Sequence, residues 1–163
     1  MLRRDYITVG CTAGIIALAG CTSDSETEEE FEEIADNVES HFEEAERLVD
    51  SGVRNLERDE YGQCAADMEG AENEIDNAQR EIRRGLRRAE DAGYLDEADA
   101  LDFLSEYIEL VNLAVNELML FCDAMREDDF GAAETHAENA ENYVEEYEQM
   151  ESDVERAIEE LED

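Results

Sequence analysis

Apolar residues spaced alternately three and four apart run through this chain from Phe31 to Leu161 in four stretches, and the sequence contains no proline to break them. Seven residues in two turns put every such position on one stripe of an α-helix, so each stretch reads as a helix with one buried seam. The first seam is Phe31, Ala35, Val38, Phe42, Ala45, Val49, Gly52 and Leu56. The second runs from Cys64 through Met68, Ala71, Ile75, Ala78, Ile82 and Gly85 to Ala89. Leu101, Leu104, Ile108, Val111, Val115, Leu118, Cys122 and Met125 form the third. In the fourth, Ala133, Ala137, Ala140, Val144, Tyr147, Val154, Ile158 and Leu161 are interrupted by Glu151.

Breaks fall near Asp59 to Gly62, at Asp91-Ala92-Gly93-Tyr94 and at Asp128-Asp129-Phe130-Gly131, where glycine is expected to close one helix and aspartate to cap the next. Connections this short force neighbouring helices antiparallel. The expected fold is all-α, one antiparallel up-down-up-down four-helix bundle over residues 27–163, with long heptad-patterned helices of roughly 45 Å each. Asp59-Glu60-Tyr61-Gly62 recurs in outline as Asp128-Asp129-Phe130-Gly131, and at the same offset Glu69, Ala71, Glu72 and Asn73 recur as Glu138, Ala140, Glu141 and Asn142. The first and third helices scarcely match at that offset, so hairpin duplication and coincidence in an acidic, alanine-rich chain both stay open.

Cysteine positions sharpen the topology. Cys64 and Cys122 are equally far from Gly93, one before it and one after, so helices turning at Gly93 bring the two to the same level. Both occupy seams. Disulfides persist outside the cell and need Cα atoms within about 7 Å, so a Cys64–Cys122 bridge is expected, with two separate core thiols as the alternative.

Ahead of the helices stand Arg3 and Arg4, a weakly apolar run from Ile7 to Gly20, and a polar, acidic tail from Thr22 to Glu30. This order is that of an export signal. The apolar run is too short for a bilayer-spanning helix, which takes about 20 residues. Its last residues, Leu18, Ala19, Gly20 and Cys21, have the order of a lipobox, in which small residues admit a signal peptidase before a lipid-bearing cysteine.

With Arg3-Arg4-Asp5-Tyr6-Ile7, this lipobox resembles the lipoproteins of extreme halophiles exported by the twin-arginine route. Leu2 stands where Ser or Thr is usual, and Thr8 where Lys is common. The resemblance implies that residues 1–20, Cys11 included, are a signal peptide that is removed. Cys21 becomes the lipidated N-terminus, residues 21–26 form a short linker, and the lipid holds the protein on the extracytoplasmic face of the cell membrane. The resemblance ends near Ser25 and carries no activity.

Charge agrees with a halophilic setting. All 12 basic residues are arginine, against 49 aspartates and glutamates. Removing residues 1–20 leaves 10 arginines and 48 acidic residues, a formal charge of −38 on the remaining chain. Nucleic acid is excluded as a partner, because gripping phosphates takes a basic stripe along the whole contact. In dilute buffer such a chain has the composition of a disordered one; in molar salt the Debye length falls to about 3 Å and self-repulsion is screened.

Half of those arginines, Arg80, Arg83, Arg84, Arg87 and Arg88, gather at the end of the second helix, which the topology returns to the anchored end. Three readings compete: pairing with glutamates and the helix C-terminus, contact with anionic lipid headgroups, and contact with an acidic protein or anionic ligand. The third helix carries a second stripe, Phe103, Tyr107, Leu110, Ala114 and Phe121, interrupted by Glu117. Either this helix is the most enclosed of the four, or the stripe meets a protein partner or a second copy.

Catalysis has little to stand on. Paired carboxylates carry no information in so acidic a chain, and the Glu-x-x-His pattern of a di-iron bundle is absent, since Val38 and Ala133 stand three before His41 and His136. No catalytic residue, cofactor or metal site is assigned. The expected function is that of a non-enzymatic interaction or envelope structural module. Its alternative is an accessory lipoprotein binding a small ligand or metal ion, with Ala71, Ala78, Ala133, Ala137 and Ala140 leaving room for a cavity.

Overall fold

The computed structural model describes residues 25–162. Arg3, Arg4, Leu18, Ala19, Gly20 and Cys21 lie outside the described residues, as do the side chains of Val154, Ile158 and Leu161. Four helices fill the described chain: α1 Ser25–Leu56, α2 Tyr61–Ala92, α3 Leu95–Arg126 and α4 Phe130–Glu162. They hold 32, 32, 32 and 33 residues, each about 48 Å long at 1.5 Å per residue. Each packs along the next in an antiparallel four-helix bundle, while α1 and α4 share no comparable interface among the described residues. Among the described residues only α2 and α3 pack extensively against two neighbouring helices.

That difference in neighbours explains the seams. Every seam residue of α2 from Cys64 to Ala89 is buried. In α3, Leu101, Ile108 and Val115 are buried, and Leu101 lies over Gly85 of α2. At the offset of the sequence repeat these positions fall on Glu32, Glu39 and Glu46 of α1, of which the first two are exposed and the third half-buried. A terminal helix carries one apolar face and an internal one carries two. In α1 the structure also shifts the expected seam: Ile34 and Asn55 are buried, while Ala35 and Leu56 are partly exposed. Both buried residues lie against α2, Ile34 over Gly85 and Asn55 donating to Asp67, so the buried stripe of α1 is wider than the heptad seam on that side.

All three turns use one device. At the first, the Asp59 and Glu60 amides donate to the Leu56 and Asn55 carbonyls; at the second, Gly93 and Tyr94 donate to Glu90 and Ala89. At the third, Asp128 and Asp129 donate to Met125 and Ala124. This crossed pair is the Schellman motif, which needs a left-handed residue just past the helix. Asp59 (φ 60°), Gly93 (φ 77°) and Asp128 (φ 59°) supply it. Glycine was expected to close the helices at all three breaks, but Gly62 and Gly131 lie inside the first turns of α2 and α4. Aspartate takes the left-handed position because its short polar side chain tolerates it better than most. Asp129 then caps α4, its Oδ1 accepting from the Ala132 amide at 3.0 Å.

The first and third turns share the crossed pair at the same offset, and Cys64 and Ala133 donate alike to the Glu60 and Asp129 carbonyls; they differ where Gln63 donates to the Glu60 carbonyl and Ala132 to the Asp129 side chain. Cys64 of α2 and Cys122 of α3 are joined, with Cα atoms 6.1 Å apart, at the end of the bundle away from Gly93. At the opposite end the start of α1 meets the α2–α3 turn: the Phe31 and Tyr94 rings are 6.5 Å apart, and Arg88 Nε donates to Glu30 Oε2 at 2.8 Å.

Candidate functional site

The five arginines of α2 divide into two sets. Successive residues turn by 100°, so Arg84 and Arg88 point towards α1, while Arg80, Arg83 and Arg87 share the outward face. Arg84 lies 3.8 Å from Glu30, 3.7 Å from Glu33 and 3.3 Å from Glu81, and Arg88 binds Glu30. These half-exposed pairs contribute tenths of a kcal/mol each, about 0.2–1 at most, and they draw the first turns of α1 onto α2. Among the described residues Arg80 reaches only Asn77, at 2.8 Å. Arg83 and Arg87 are exposed and have no charged partner among the described residues.

The surroundings of this outward set differ from the rest of the surface. From Asn73 to Arg87 every fully exposed residue of α2 is asparagine or arginine. Carboxylates dominate the exposed positions of α1, such as Glu32, Asp36 and Glu39, and of α4, such as Glu134, Glu138 and Glu145. The α2 face is the one cationic strip on an acidic body among the described residues.

The second stripe of α3 is largely taken up by α4. Tyr107 is buried and meets Tyr147 edge-on, with ring centroids 5.8 Å apart, and Ala114 is buried. Phe103, Leu110 and Phe121 are half-buried. Glu117, which breaks the stripe in sequence, pairs with His136 at 2.6 Å and accepts from Asn139 at 3.3 Å, both on α4. The α4 helix covers the centre of the stripe, and Phe103, Leu110 and Phe121 keep part of their surface. Between α2 and α3 the amides of Asn112 and Asn116 donate to Asp76 and Glu72 at 3.3 and 3.2 Å, a polar ladder fixing their register that the heptads alone do not indicate.

His41 has the same kind of partner as His136, lying 2.7 Å from Glu74 of α2. Among the described residues no group of three or more His, Cys, Asp or Glu is placed to hold a metal ion. Ala71, Ala78, Ala133 and Ala140 are buried and Ala137 is half-buried; a void of about 10 Å³ lined by Phe31, Ile34, Val38 and Leu104 is too small for an organic ligand. An open groove of about 760 Å³ lies where Leu110 of α3 meets Asn139, Asn142, Tyr143, Gln149 and Met150 of α4. No described helix is long and apolar enough to cross a membrane.

Comparison of the chain with protein-family models, with curated proteins and with solved structures finds no match in any of the three. Function must therefore be argued from the chain's own residues.

Proposed function

We propose that this protein is a surface-anchored, acidic helical lipoprotein that works without enzymatic activity, as an interaction or envelope structural module on the extracytoplasmic face of the membrane. One observation carries the reading: the lipobox cysteine, Cys21, stands only four residues before Ser25, where α1 begins. Four residues span at most about 14 Å, so a lipid on Cys21 holds the whole bundle against the bilayer. The end so held is the one where α1 meets the α2–α3 turn, and the Cys64–Cys122 bridge ties the far end. The lipid fixes position, the bundle supplies a stiff acidic post, and the uncovered α2 face and the rim of the α3 stripe are left for contact.

Cross-linking on intact cells in native salt, followed by mass spectrometry of what the protein carries, tests this reading. Links from α2 or from Phe103, Leu110 or Phe121 to one enriched protein, or to a second copy, are expected. Catalytic turnover of a defined substrate by the purified chain would overturn it. The α3–α4 groove favours one second reading, an accessory lipoprotein binding a small ligand against Tyr143 and Leu110. A bound small molecule in native mass spectrometry, lost in Tyr143→Ala, would move the assignment there.

A further inference from the structure

We propose that Arg80, Arg83 and Arg87 bind the phosphates of anionic lipid headgroups, so that the anchored bundle leans on its α2 face instead of standing end-on. The inference rests on the anchored reading and adds the partner and the stance. Seven residues of helix separate Arg80 from Arg87, about 10 Å along α2. Arg87 lies five residues before the end of α2 at Ala92 and Arg80 lies twelve, or about 8 and 18 Å up from the held end. An upright bundle therefore lifts Arg80 clear of the headgroups, whereas one inclined towards α2 lays all three guanidinium groups on the surface together.

Charge selects the same stance. An anionic bilayer repels the carboxylate-covered faces of α1 and α4, whereas Glu90 and Asp91, exposed at the tip of α2, stay near it in either stance. The strip from Asn73 to Arg87 presents no fully exposed carboxylate to it: Asp76, on the same face, is half-buried and accepts from Asn112 of α3. Arginine suits this task, since its planar fork gives two parallel hydrogen bonds to one phosphate, contacts that act at touching distance where molar salt screens longer-range attraction. The tether removes most of the cost of meeting the surface, because a lipid on Cys21 makes the encounter intramolecular. Arg84 and Arg88, already engaged by Glu30, Glu33 and Glu81, take no part.

The test uses the lipidated protein, reconstituted in molar salt into vesicles of phosphatidylcholine alone or of phosphatidylcholine and phosphatidylglycerol in equal parts. Phenylglyoxal modifies accessible arginines, and mass spectrometry reads each site, with Arg54 and Arg58 at the far end as internal references. On anionic vesicles Arg80, Arg83 and Arg87 should react roughly fivefold more slowly than on neutral ones, with the references unchanged. Equal rates on both vesicles, in protein that floats with both, would overturn the inference while leaving the anchor intact. Protection on both alike that persists in detergent without phospholipid would assign the strip to a second copy instead. A chain that floats with neither vesicle would remove the anchor and this inference together.

Discussion

Reducing the Cys64–Cys122 bridge should lower the stability of the bundle by about 4 kcal/mol. The bond closes a loop with a sequence separation of 58, and the chain-entropy relation for a loop of that length gives about 14 cal/mol/K, or about 4 kcal/mol at 25 °C. Both cysteines are buried, at 0% and 1% exposure, so the reduced thiols stay packed and the loss comes from freedom gained by the unfolded chain. For a domain of this size that corresponds to a fall in midpoint of roughly 15 °C. The assay is thermal unfolding followed by helical circular dichroism in molar salt, with oxidised protein set beside protein reduced while unfolded and then refolded. Cys64→Ala, Cys122→Ala and the double variant should fall close together, since losing either partner opens the same loop. Coincident transitions for oxidised and reduced protein would refute the argument, and with it the cross-link between α2 and α3.

Three further outcomes follow from the same geometry. Asp128→Val should destabilise the bundle by about 1–2 kcal/mol while Asp128→Gly leaves it equal or better, because only the branched residue resists the left-handed turn; equal denaturant midpoints for the two would count against the Schellman closure. Diluting salt from molar to millimolar should lower helical circular dichroism reversibly, as the Debye length grows from about 3 Å to beyond 30 Å and the carboxylate faces repel; an unchanged signal would show that screening is not what permits folding. The Tyr61 hydroxyl donates to Asp59 at 2.9 Å, which raises its pKa above the ordinary 10.0. The bond exists only with the phenol protonated, so its contribution is present below pH 10 and lost as pH rises through the raised value. Ultraviolet titration should show a late phenolate component that Tyr61→Phe removes, and its survival in that variant would refute the assignment.

The heptads made the four helices and their order legible, because a buried seam leaves a period that no local accident erases. Cys64 and Cys122 were legible for a related reason: equal distances from one turn become equal heights in an antiparallel pair. The turns were misread at two of three places, since the rule that glycine follows a helix ranks it above aspartate, whereas Asp59 and Asp128 hold the left-handed position and Gly62 and Gly131 fall within helices. The wide face of α3 was visible as composition, but its occupant was not. Only three-dimensional placement shows Tyr147 against Tyr107 and His136 against Glu117. Likewise the five arginines formed one cluster in sequence, and it took the position of α1 to separate the two that Glu30 holds from the three facing outward.

The anchor on which the functional account depends can be tested in one step. The protein is extracted from membranes with detergent, and its N-terminal peptide and intact mass are determined. The account predicts a chain that begins at Cys21 and carries a thioether-linked lipid. A chain that keeps Arg3 and Arg4, or a water-soluble chain with an unmodified Cys21, would contradict it.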